Sequence, residues 1–134
     1  MKRLAAFLIA ALLTAALTIP AAAAEPLTLE TFREYHAAVL PEGGADLSDA
    51  EKETLLAGLM EAGVTAVRDA IALGLVSSRE VTAHYLERIE AYNQTYNCFI
   101  TLCDDALAQA ENRDARLAAG ETPGPLFGVP VVGS

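Results

Sequence analysis

Gly124-Pro125-Leu126-Phe127-Gly128-Val129-Pro130-Val131-Val132 is the stretch on which the fold class turns. From Leu126 onward it is apolar and rich in β-branched residues, which suit a pleated, half-buried surface. Its glycine and prolines point to an edge, a bend or close backbone approach. A strand must find partners for its backbone N–H and C=O groups, and no earlier segment offers a convincing one. The stretch is thus β-favouring, and it follows a mainly helical polypeptide that offers it no partner strand.

Working back from that stretch, Asp104 or Asp105 is positioned to cap a helix that reaches Ala119 and closes at Gly120. Its apolar positions are mostly alanine around Leu107 and Leu117, which favours close packing on another element. Glu111, Arg113, Asp114 and Arg116 mark the opposite, solvated face. Before it, Phe99, Ile100 and Leu102 form an apolar run too short to assign, and Asn93 and Asn97 bracket a loop. Ser77 with Glu80 is a capping box, opening a helix through Tyr92 with Val81, Tyr85 and Ile89 at every fourth position. Thr65 is expected to cap a helix through Leu75, its last turn weakened by Gly74. Ser48 with Glu51 is a second capping box, followed by the stripe Leu55, Leu56, Leu59 and Met60 and a stop at Gly63. The first helix spans Leu29 to Leu40, with Phe32, Tyr35 and Val39 on one face, and ends at Pro41 and the Glu42-Gly43-Gly44 turn.

The N-terminus has a different character. Met1 to Arg3 carry two positive side chains, Leu4 to Ile19 are uncharged and apolar, Pro20 breaks the run, and Ala21 to Ala24 offer a small-residue cleavage site before Glu25. That is the pattern of a secretory signal peptide over residues 1–24, with an apolar run shorter than the roughly 20 residues that span a bilayer core. The expected location is periplasmic or secreted. No cysteine lies at the cleavage region to accept a lipid, and Lys2-Arg3 is not a twin-arginine signal.

The whole chain has a net charge of −9. Removing the leader also removes Lys2 and Arg3, so the exported part is more acidic still. Such a surface disfavours nucleic acid, whose binding requires cationic side chains, and anionic membranes for the same reason. No nucleic-acid partner and no stable membrane association after cleavage are expected.

Two cysteines, Cys98 and Cys103, occur in a chain addressed to an oxidising compartment. A separation of five places them on opposite faces of a continuous helix or strand, so a disulfide requires a turn between them. Two buried small hydrophobes are the commoner arrangement. A metal site is weaker still, because His36 and His84 are distant in sequence and no C-x₂-C spacing exists.

The search for chemistry returns no catalytic, cofactor-binding or metal-binding residues. Ser48 and Ser77 are occupied as caps, Ser78 lies in the same first turn, and the cysteines have no nearby histidine. His84 flanks an apolar helix face and His36 is similar, positions that suit core-edge histidines better than bases. Lys52, the one lysine outside the leader, sits among Asp49, Glu51 and Glu53. No phosphate loop or dinucleotide fingerprint is present, and no cofactor is expected.

From Thr65 to Val132 the sequence nonetheless resembles the N-terminal part of the amidase signature family, serine hydrolases of carboxamide C–N bonds. Three blocks carry the likeness. Ala72 to Val81, followed by Tyr85-Leu86-Glu87-Arg88-Ile89, is similar to the family's helix, turn and Ser-capped helix. Tyr96-Asn97-Cys98-Phe99-Ile100-Thr101 resembles its L-N-A-F-I-T segment with cysteine for alanine. Gly124 to Val132 resembles G-P-L-H-G-I-P-V with Phe127 for histidine.

The resemblance implies an α/β fold, a mixed sheet with helices on both sides, of which this chain would be the mainly helical N-terminal fragment ending at an early strand, and a Ser–cis-Ser–Lys triad. Its lysine, when neutral and desolvated, can take a proton through the bridging serine. In that pattern the lysine's place is Ser134, and the glycine/serine-rich signature is not found here. The expected organisation is a signal peptide over 1–24, a helical segment over 25–64 and an incomplete amidase domain over 65–134. The expected function is that of an N-terminal fragment of an exported amidase, inactive alone and meeting a small amide substrate only as part of a full-length enzyme. The alternative is a small helical periplasmic binding or interaction protein whose tail adds to a partner's sheet.

Overall fold

A computed structural model of the chain describes residues 26–37, 39–40 and 46–133. The leader and the Pro41 to Gly44 turn lie outside the described residues, as does Ser134. Five helices are present among the described residues: α1 (Leu29–His36), α2 (Asp49–Ala62), α3 (Val64–Ala72), α4 (Ser78–Tyr96) and α5 (Ala106–Ala118). None is long and apolar enough to cross a membrane.

Three of the five open on reciprocal capping boxes, at Thr28 with Thr31, Ser48 with Glu51 and Ser77 with Glu80. Each satisfies backbone donors that the first helical turn leaves unpaired. The Ser48 hydroxyl, 2.6 Å from Glu51 Oε2, and the Ser48 N–H hold that carboxyl below its ordinary pKa.

The α2–α3 junction differs from the expected cap at Thr65. Gly63 is at once the C-cap of α2 and the N-cap of α3, with φ 90° and ψ 176°, so one residue joins the two helices and Thr65 is already helical. A side chain at that φ would be strained. α3 also stops at Ala72, short of Leu75. The N–H of Gly74 bonds the Ile71 carbonyl and that of Leu75 bonds the Ala70 carbonyl, both at 3.0 Å, which is a Schellman stop. Gly74 thus ends the helix instead of weakening its interior.

α4 runs past the expected Tyr92 to Tyr96, with Asn93 inside it and Asn97 in the left-handed conformation at its C-cap. α1 is shorter than expected, ending at His36. At the start of α5 the Asp105 side chain makes no capping bond; its carboxylate is engaged by Cys103 and Gln109 instead.

The core is a single cluster in which Phe32 from α1, Leu55 and Leu59 from α2, Val67 and Ile71 from α3, and Val81 from α4 are all essentially buried. Leu75 and Val76, in the α3–α4 connection, close it. α4 packs most extensively on α5, while α3 contacts α1 and α2.

The expected strand is the main correction to the fold reading. Pro125 to Gly128 form a turn, with N–H bonds from Phe127 to the Gly124 carbonyl and from Val129 to the Leu126 carbonyl. Residues 129–133 join no ladder, and no strand occurs among the described residues. The physical reason is the one already visible in the sequence: a strand needs a partner strand, and none is found among the described residues. The protein is mainly helical, with an unpaired apolar segment at 129–133.

Candidate functional site

The most informative site is where that apolar segment meets the start of α4. Ser77 closes its capping box with Glu80, which leaves Ser78 pointing inward and 2% exposed. The Ser78 hydroxyl donates to the Gly128 carbonyl at 2.6 Å. Two further donors at the helix start, the N–H groups of Ser78 and Arg79, reach the carboxylate of Asp114 on α5 at 2.7 and 3.0 Å. Arg79 Nε donates to Glu111 at 2.6 Å one turn away. Asp114 is therefore half-buried and caps a neighbouring helix, in place of the solvated position expected from the sequence. The signal was present only as a pairing: Glu111 and Asp114 share one face of α5 at a spacing of three, matching the adjacent Ser78 and Arg79.

Gly128 has φ 73°, and a Cβ built there would meet Ser78 Cβ and Oγ at 3.2 Å. The turn thus approaches α4 as closely as a residue without a side chain permits. Beside it, Arg116 binds both carboxylate oxygens of Glu121 through Nε and one terminal nitrogen, and lies over the Phe127 ring at 5.7 Å. Phe127 stands where the resemblance has histidine, and here it serves as the platform for that guanidinium.

Beyond the junction, a cleft of ≈ 820 Å³ opens between α2, α3, α4 and the 129–133 segment. Val64, Tyr85, Ile89, Tyr92, Val129 and Val131 line it. Several of its apolar side chains remain in solvent, Val131 and Val132 at 74% and 75% exposure. An apolar wall of this kind can bind a complementary apolar surface, and it contains no nucleophile–base pair.

The residues singled out from sequence are distributed as follows. Cys98 and Cys103 are free thiols and both exposed, correcting the expectation of buried small hydrophobes. They line the same cleft. The Cys103 thiol donates to Asp105 at 2.8 Å, and that bond raises its pKa. His36 packs on Phe32 with Nε2 3.7 Å from the buried Asp69, which Arg68 Nε also contacts at 2.7 Å. Asp69 escaped the sequence reading because nothing local distinguishes it from the other acidic residues.

His84 sits at the core edge with Nδ1 3.5 Å from Glu53. Lys52 reaches across to Glu80 at 3.0 Å instead of pairing within its own helix. Burial works against the Glu80 carboxylate, but the Ser77 N–H and Lys52 outweigh it and lower its pKa. Among the described residues, the histidines' polar partners are carboxylates and not serine hydroxyls or thiols. No group of three or more His, Cys, Asp or Glu there is placed to hold a metal ion.

Comparison with known proteins falls on this same region. The Amidase family model matches residues 80–132, from the first turn of α4 to the end of the apolar segment. A glutamyl-tRNA(Gln) amidotransferase subunit of Hahella chejuensis is 57% identical over 56 residues, covering 41% of this chain and 11% of the relative. Its counterpart in Alkalilimnicola ehrlichii is 48% identical over 73 residues, covering 54% and 15%. That of Bdellovibrio bacteriovorus is 42% identical over 69 residues, covering 52% and 14%. No solved structure matches. The chain is thus similar to the Amidase family from Glu80 to Val132, and its matched part spans well under a fifth of the relatives' length.

Proposed function

We propose that this chain is the helical opening of an exported amidase acting on carboxamide C–N bonds, and that it hydrolyses nothing alone. The observation that carries this reading is the junction at Gly128. The amidase-matching sequence ends in an apolar segment that is anchored to α4 at one end and, among the described residues, has no strand beside it. In an enzyme of this family a sheet would occupy that place. The relatives' names supply the amide chemistry, and the identity of the amide would be set by residues outside the matched region.

The direct test is to supply the purified chain to one of these amidotransferase relatives from which the matched segment has been deleted, and to measure ammonia release from simple carboxamides. The expected result is no release by either piece and release by the pair. Turnover by the chain alone, persisting through purification, would sink the claim of inactivity. The export part is tested separately by N-terminal sequencing of the secreted protein, expected to begin at Glu25.

The cleft supports a second reading, a helical binding protein with an apolar pocket. A cooperative thermal transition of the chain in isolation, with no complementation of the truncated relative, would favour it.

A further inference from the structure

The segment from Asn97 to Asp105 has neither helix nor strand, yet it is held at its start. Asn93 on α4 clamps Phe99 from both sides, its amide N–H₂ donating to the Phe99 carbonyl and its carbonyl accepting the Phe99 N–H, each at 2.9 Å. Asn97 is left-handed, with φ 49°, and ends α4 as its C-cap. Ile100 occupies a bend and is 99% exposed, so its side chain is packed on nothing. Fully extended, the chain would hold the Cα atoms of Cys98 and Cys103 roughly 17 Å apart, whereas a disulfide needs about 4.4 to 6.8 Å. The chain bends at Ile100, midway between the two cysteines, and both line the same cleft, exposed and free.

From this arrangement we infer that Cys98 and Cys103 are a redox pair that closes into an intramolecular disulfide across the Phe99–Leu102 loop, at the rim of the apolar cleft. The inference is independent of the amidase reading. The contacts that now hold the sulfurs are surface contacts: Cys98 Sγ to the Tyr96 carbonyl at 3.7 Å, Cys103 Sγ to Asp105 at 2.8 Å and to Gln109 Nε2 at 3.7 Å. A side-chain rotation releases each. The oxidant is a small disulfide. One cysteine thiolate attacks a sulfur of that disulfide, giving a mixed disulfide and releasing one small thiol; the second thiolate attacks the protein sulfur and releases the other. Both protein S–H protons end on the released thiols, so one S–S bond breaks and one forms.

The test is to equilibrate the full chain with oxidised glutathione, alkylate in denaturant and measure intact and peptide masses. The expected result is a monomer that has lost two hydrogens, resists alkylation at both positions and yields one peptide linking Cys98 to Cys103. Glutathione adducts, disulfide-linked dimers or two alkylated thiols would each overturn the inference. Cys98→Ser and Cys103→Ser must then each form only adducts or dimers. Amide exchange at Phe99 to Leu102 should slow on oxidation of the native chain, and oxidant should leave it unchanged in both variants. Equal exchange in oxidised and reduced native chain would equally overturn it.

Discussion

Ser78 Oγ lies 2.6 Å from the carbonyl oxygen of Gly128, 50 positions further along the chain, and donates its proton to it. The bond joins the first turn of α4 to the last turn before the apolar segment, and the Gly128 conformation permits the approach. Ser78→Ala should destabilise the protein by about 1–2 kcal/mol, because the hydroxyl is buried and the carbonyl loses its partner. Gly128→Ala should cost at least as much, since φ 73° is unfavourable by about 1–2 kcal/mol for a residue with a Cβ. Because part of the new clash is with Ser78 Oγ, the double variant should lose less than the sum. Urea unfolding of the four proteins tests this; strict additivity would mean that the two residues do not act on one another.

Asp114 works on the same helix terminus from the other side. Its carboxylate accepts the N–H groups of Ser78 and Arg79 and places a negative charge at the positive end of the α4 dipole. Asp114→Ala should therefore destabilise by about 1–2 kcal/mol, the range for loss of a good cap. Asp114→Asn should lose less, since one amide oxygen still accepts. Glu111→Ala, which removes a more exposed ion pair with Arg79, should change stability by under about 1 kcal/mol. Comparable losses in the Asp114→Ala and Glu111→Ala variants would contradict the capping role.

These contacts show where the sequence was legible and where it was not. Ser48 with Glu51 and Ser77 with Glu80 could be read directly, because a capping box is closed by residues three apart. The apolar stripes of α2 and α4 were visible for the same local reason. Gly63 is legible as a stop but not as the start of the next helix, since its role depends on a backbone conformation that only the packing of α3 on α2 selects. The segment after Gly128 has the composition of a strand, yet strand formation depends on a partner that composition does not provide. Asp114 resembles any solvated acid on α5 until a second helix is placed against it.

Glu80 links local capping to pH. Its folded pKa is lowered, so its contribution to stability is fully present above the ordinary glutamate value of about 4.3 and is lost as pH falls through the lower folded value. Glu80→Gln keeps a cap acceptor but removes the charge that pairs with Lys52. The variant should be less stable than the native chain at neutral pH by a fraction of a kcal/mol, since the pair is partly exposed. The difference should shrink as pH falls below the ordinary glutamate range and the native carboxylate becomes protonated as well. Denaturant midpoints of both proteins across that range test the sign; a difference that grows on acidification would contradict it.

Cys103 offers a sharper electrostatic test. Its thiol donates to Asp105, and that bond, together with the charges of Asp105 and Asp104, favours the protonated form and raises its pKa. Thiolate is the reactive species, so alkylation should gain speed only at a higher pH than for an ordinary cysteine. In a Cys98→Ser background, where a single thiol remains, Asp105→Asn should move the midpoint of the pH–rate curve for iodoacetamide downward and raise the rate at neutral pH. Neutralising Asp104, which acts through charge alone, should give a smaller shift in the same direction. A pH–rate curve unchanged by Asp105→Asn would show that the Cys103–Asp105 contact does not govern the thiol.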